Sequence, residues 1–166
     1  MQTKKISPIF TLIFSSLVGA FFAGQAVAED YKADDVLGFW LTEEKTAVIE
    51  MKKDDKGSYY GEIVWLKDLH TGKAKEKLDE KNPDEKLRSR SLLGLKNTWG
   101  FKHEGEGEFG DGNIYDPKSG KTYSANMELD DGGKELELRG YVGVPLFGRT
   151  TEWTREEGKV PAYIQK

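Results

Sequence analysis

The chain has 166 residues, of which 37% are hydrophobic and 33% charged, with a formal net charge of −4 and no cysteine. This acidic balance excludes nucleic-acid binding by phosphate neutralisation. The lack of cysteine excludes disulfides and thiol-linked lipid, so the fold must hold by packing alone.

Lys4 and Lys5 precede an apolar run over residues 9–22, which is followed by Ala26-Val27-Ala28. That order of charged, apolar and small residues is the pattern of a secretory signal peptide. Residues 1–28 are therefore expected to be removed after Ala28, giving a periplasmic or secreted product. Ser15, Ser16 and Gly19 interrupt the run, which is short for a membrane anchor, and no membrane span is expected after signal removal.

Residues 29–155 read as one β-domain and residues 156–166 as a patternless, loose tail. The first strand is expected over 36–42 and the second over 46–53, where Ala47, Ile49 and Met51 alternate with Val48, Glu50 and Lys52. Asp54-Asp55-Lys56-Gly57 is a hairpin turn. A third strand over 58–67 places Tyr59, Gly61, Ile63 and Trp65 on one face. Residues 68–90 then form a connection far longer than the roughly 4–6 residues that are usual. Within it Asn82-Pro83-Asp84-Glu85 signals one short helix, with Asn82 as the cap and Leu87 as an anchor.

Strands follow over 92–101 and 108–115, then the turn Asp116-Pro117-Lys118-Ser119-Gly120, then a strand over 121–129 with Tyr123, Ala125, Met127 and Leu129 facing inward. In the last hairpin Leu136, Leu138, Gly140 and Val142 alternate with Glu137, Arg139 and Tyr141. After the apolar turn over 143–148, Arg149, Thr151, Trp153 and Arg155 share one face.

Eight short strands joined mostly by tight turns, with one helical signal, predict an all-β fold, an antiparallel eight-stranded barrel. Closure of such a meander brings Trp40 against Arg155, an arginine over an indole. Gly38-x-Trp40 with the late arginine resembles the lipocalin-like, or calycin, group. At family level the sequence resembles the bacterial exported domain-of-unknown-function family 2147. The residues that carry this are Gly38-Phe39-Trp40, Gly61-Glu62-Ile63-Val64-Trp65-Leu66, Asn82-Pro83-Asp84, Leu87-Arg88-Ser89-Arg90, Ile114-Tyr115-Asp116-Pro117, Gly120-Lys121-Thr122-Tyr123 and Arg139-Gly140-Tyr141-Val142-Gly143. Relatives often carry cysteines where this chain has Asp55 and Tyr60, and a proline at the position of Ser91. The resemblance implies a compact envelope barrel and supplies no activity.

No cofactor or metal is expected. His70 and His103 have no partner at metal-ligand spacing and read as solvated loop residues. Gly120-Lys121-Thr122 lacks the other glycine and the helix of a phosphate loop. Asp116 and Glu152 are a formal carboxylate pair, but a local turn bond for Asp116 and an exposed Glu152 account for them more simply. Every second connection of a meander falls at the same end. One mouth should therefore gather Arg88, Arg90, Tyr115, Asp116, Lys121, Tyr141, Phe147 and Arg149 as rim ligand-binding candidates. Their alternatives are solvated face charges, core packing and, for the 143–148 turn, a plug.

The leading reading is a non-enzymatic periplasmic barrel that binds a small apolar or amphipathic ligand at one rim. A second is a structural or protein-interaction module of the envelope with a filled barrel and an envelope protein partner. A third is an enzyme acting on an envelope component. An internal cavity supports the first, a solid core with an exposed apolar patch the second, and a buried carboxylate pair with separated pKa values the third.

Overall fold

The computed structural model describes residues 30–165; the expected signal segment and its cleavage point lie outside them. The strands are β1 (Gly38–Leu41), β2 (Ala47–Lys53), β3 (Tyr59–Leu66), β4 (Lys96–Gly105), β5 (Glu108–Asp116), β6 (Lys121–Asp130), β7 (Glu135–Tyr141) and β8 (Arg149–Glu156). They form a closed barrel in which each strand pairs with its neighbours in sequence. The antiparallel pair β1–β8 completes it, with Trp40 opposite Arg155.

The period-two apolar pattern explains the interior. Ile49, Met51, Tyr59, Ile63, Phe101, Phe109, Met127, Leu136, Leu138 and Trp153 belong to one buried cluster around Trp40. Two glycines show how tightly it is filled. A methyl at Gly61 would lie 2.6 Å from Ile49 Cγ2 and 2.9 Å from the Met51 sulfur, and one at Gly112 would fall within the Phe101 ring. Neither position leaves room for one more carbon.

One end is sealed by a 3-10 turn, Ala33–Val36, whose Val36 is buried. The Trp40 indole donates to the Val36 carbonyl at 2.8 Å. Arg155 donates to the carbonyl of Leu37 at 3.0 Å and to those of Asp35 and Gly133. Asp34 in the same turn accepts from the Tyr59 hydroxyl at 2.7 Å and from Lys53 at 2.8 Å. The hydrogen bond from Lys53, helped by the one from Tyr59, holds its carboxyl below the usual carboxylate range. At the opposite end, the mouth, Leu92 and Leu95 pack against the core cluster.

Several local expectations are corrected. Val36 belongs to the 3-10 turn, so the first strand begins at Gly38. Trp65 leaves the face of Tyr59 and Ile63 because the β2–β3 register shifts between Val48 and Ile49. This bulge reverses which face points outward. Trp65 therefore joins Leu41 and Val48 in a second cluster, covered by Val160 and Ile164 from the chain after β8. The tail carries its own 3-10 turn, Ala162–Ile164, and the Tyr163 hydroxyl donates to the Lys45 carbonyl at 3.1 Å.

In the long connection a one-turn helix, α1 (Lys67–His70), follows β3 directly. The expected helix near Pro83 is a single 3-10 turn, Glu85–Leu87, capped by Asp84 rather than Asn82. Leu87 is 37% exposed and belongs to neither core cluster. The fourth strand starts at Lys96 because Gly94 and Leu95 turn to meet Ile63 instead: Gly94 N–H donates to the Ile63 carbonyl at 2.7 Å, and Ile63 N–H to that of Leu95 at 2.9 Å. His103 lies half-buried on β4, its ring 5.2 Å from that of Phe109, not in a solvated loop.

Candidate functional site

The mouth-end connections touch one another. Lys118 of the β5–β6 turn pairs with Glu44 of the β1–β2 turn, and Thr151 of β8 donates to Glu43 at 3.0 Å. Seven of the eight rim candidates nevertheless separate into two groups with different roles, and Asp116 belongs to neither.

The first group is a buried polar network that fastens the long connection to the barrel. Its centre is Asp79, 0% exposed, which the sequence reading did not single out. Arg90 Nη2 lies 2.8 Å and Nε 2.9 Å from Asp79 Oδ2. The Tyr115 hydroxyl donates to Oδ1 at 2.6 Å, and Asn82 donates to Oδ2 at 2.7 Å. Arg88 Nε donates to the Asn82 carbonyl at 2.9 Å while its Nη1 pairs with Glu85 at 3.0 Å. A buried charge is tolerated only when paired and hydrogen-bonded, and Asp79 is both. Burial, and then the bond to Asp79, pushes the Tyr115 phenol above its usual value. Gly120 is the other contact: its φ is +70° and a methyl there would collide with the Lys81 carbonyl. Arg90, Tyr115 and Arg88 are thus occupied in holding the chain. Asp79 sits in the Lys-Leu-Asp-Glu-Lys run, which reads as solvated charge, so only the contact reveals it.

Asp116 is a turn residue. Its Oδ1 accepts from Lys118 N–H at 2.9 Å and its Oδ2 from the Ser119 hydroxyl at 2.6 Å. Glu152 is exposed on β8, a strand that β5 does not pair with, so no carboxylate dyad forms.

The second group is the β7–β8 connection. Arg139 Nε donates to the Pro145 carbonyl at 2.7 Å, Nη2 to the Leu146 carbonyl at 3.2 Å, and Nη1 to the Thr150 hydroxyl at 2.8 Å. This fork ties down the backbone of the 3-10 turn Pro145–Phe147 and leaves its side chains outside. Phe147 is 81% exposed, Leu146 78% and Val142 76%, which overturns the plug reading of this turn. Tyr141 is half-buried and donates to Asn126 at 3.3 Å. Arg149 stands opposite Gly140, on the inward-facing row at the lip, and Lys121 follows the same row of β6 that carries Tyr123, Ala125 and Met127. Both are exposed, and among the described residues neither side chain has a hydrogen bond or ion pair.

The outer face of β5–β8 carries a row of acids. Glu108, Glu128, Glu137 and Glu152 are register partners across β5, β6, β7 and β8, toward the sealed end. Partial burial, then repulsion from Glu108 and Glu137, raises the Glu128 carboxyl above its usual value. Among the described residues no cluster of histidines or carboxylates is placed to hold a metal. A hollow of about 220 Å³ beside Glu104, Glu128 and Arg139 and another of about 420 Å³ beside Asp34, Leu37 and Arg155 both open to solvent. No helix among these residues is long and apolar enough to cross a membrane.

A family model described as an uncharacterized protein conserved in bacteria (DUF2147) matches residues 38–155. The solved structure of protein HP1028 from Helicobacter pylori, described as belonging to the lipocalin family, superimposes with a TM-score of 0.65 at 26% identity. The match covers 74% of this chain and 83% of that one. No curated protein matches.

Proposed function

This chain belongs to the DUF2147 family, and on that premise we propose that it is an exported, non-enzymatic binding module whose barrel is filled and whose working surface is the β7–β8 tip at the mouth. A lipocalin-like barrel is a binding-protein kind of fold, and an eight-stranded interior holds either its own side chains or one small ligand. Here the packing around Gly61 and Gly112 supports the first case. The observation that carries the reading is the exposure of Leu146 and Phe147 on a turn whose backbone Arg139 clamps. Exposed apolar side chains held on a rigid support favour docking to an apolar surface of the envelope.

The test places a photo-crosslinking residue at position 147 or, at the sealed end, at position 55 of the exported protein. Envelope adducts from position 147 alone are expected. Adducts from neither position, together with a small molecule retained by the folded protein in native mass spectrometry, would overturn the reading in favour of an internal carrier.

A further inference from the structure

We propose that the surface met by this tip is a lipid bilayer rich in anionic headgroups, with Leu146 and Phe147 entering the headgroup–acyl boundary and Arg149 and Lys121 resting on the phosphates. This rests on the rim-docking reading above and names its partner. Charge is what selects the occupant. Between Glu137 and Glu152 the chain carries Arg139 and Arg149 and no carboxylate. Arg139 spends its guanidinium on the turn, whereas Arg149 and Lys121 face solvent at the lip without partners among the described residues. The acids nearest them are already engaged: Asp116, opposite Lys121, accepts with both oxygens within its own turn, Glu43 accepts from Thr151 and Glu44 pairs with Lys118.

The acidic row of Glu108, Glu128, Glu137 and Glu152 lies toward the opposite end. An anionic surface therefore attracts the mouth and repels the sealed end, which orients an acidic protein tip-first. Shallow insertion of apolar side chains with cations at headgroup level is the usual basis of reversible interfacial binding. The fixed turn adds to it, because Leu146 and Phe147 are already outside before contact and little ordering is lost.

Vesicles of phosphatidylethanolamine with phosphatidylglycerol are the probe, with pure phosphatidylcholine as the control. Sedimentation should show the wild-type protein on the anionic vesicles, with binding weakened by added salt. Arg149→Gln and Lys121→Gln should each lower the partition coefficient about fivefold, and Leu146→Ser with Phe147→Ser roughly tenfold or more. All four side chains are exposed, so these variants keep the fold. Because the chain has no cysteine, a polarity-sensitive dye on Phe147→Cys reports the tip alone. It should shift to the blue on vesicles, and the same dye on Asp55→Cys should not. Vesicle binding that these variants leave unchanged would overturn the inference. So would absence of binding; if position 147 still crosslinks to an envelope protein, only the lipid partner falls, and if it crosslinks to nothing, the rim-docking reading falls with it.

Discussion

The Tyr115 hydroxyl lies 2.6 Å from Asp79 Oδ1 and so joins the end of β5 to a carboxylate contributed by the long connection. Asp79→Ala should cost about 3–5 kcal/mol, since it strands Arg90 as well as Tyr115. Tyr115→Phe should cost about 1–3 kcal/mol. Denaturant midpoints measure both, and limited proteolysis at the lysines of the connection should quicken in each variant. Because the folded phenol is raised above its ordinary value of 10.0, its contribution is complete below that pH and is lost as pH rises through the folded value. The gap between wild type and Tyr115→Phe should therefore close in alkali.

Barrel closure predicts a different pair of costs. The Arg155 guanidinium carbon lies 4.2 Å from the centre of the Trp40 ring. Trp40→Ala should lose about 3–5 kcal/mol, through the volume removed from the core. Arg155→Ala should lose about 1–3 kcal/mol by freeing the carbonyls of Asp35, Leu37 and Gly133. Arg155→Lys should not restore it, because an ammonium lacks the planar fork. Thermal unfolding of the three variants checks this, and full rescue by lysine would count against the geometry.

Close packing around Gly61 and Gly112 makes glycine a requirement at both positions. Gly61→Ala and Gly112→Ala should each cost about 1–3 kcal/mol by overpacking against Ile49 and Phe101. Gly57→Ala, at a solvent-facing turn with nothing near its missing Cβ, should lose only its backbone preference, about 1 kcal/mol. Equal small losses at all three sites would show room inside the barrel.

Glu128 is expected to work against the fold at neutral pH. Its carboxyl is raised above the ordinary 4.5, so the folded state gains as pH falls through the folded value and loses as it rises. Glu128→Gln should stabilise by a few tenths of a kcal/mol, roughly, at low salt and pH 7, after allowance for screening on an exposed side chain. The gain should vanish near pH 3 and in high salt.

The proposed export makes one prediction about the chain itself. The intact mass of the protein recovered outside the cytoplasm should begin at Glu29, and a mature species that retains Phe21 and Phe22 would refute the processing.

What the sequence alone determined is what depends on local periodicity. Alternation along β2, β6 and β7 set which residues face inward, the Asp54-Asp55-Lys56-Gly57 and Asp116 to Gly120 turns set where the chain reverses, and Gly38-x-Trp40 with Arg155 set how the barrel closes. These signals are legible because a strand with one buried face must repeat every second residue. Tertiary structure alone decided the rest. The bulge that sends Trp65 outward depends on how β2 and β3 slide past each other, and nothing in Val64 announces it. Asp79 looks like one solvated charge among many until Arg90, Tyr115 and Asn82, from eleven, thirty-six and three residues away, converge on it. The β7–β8 turn was open to either a plug or an exposed tip; the Arg139 fork settles the choice, since tying the backbone carbonyls of Pro145 and Leu146 to β7 leaves Leu146 and Phe147 nowhere to go but outward.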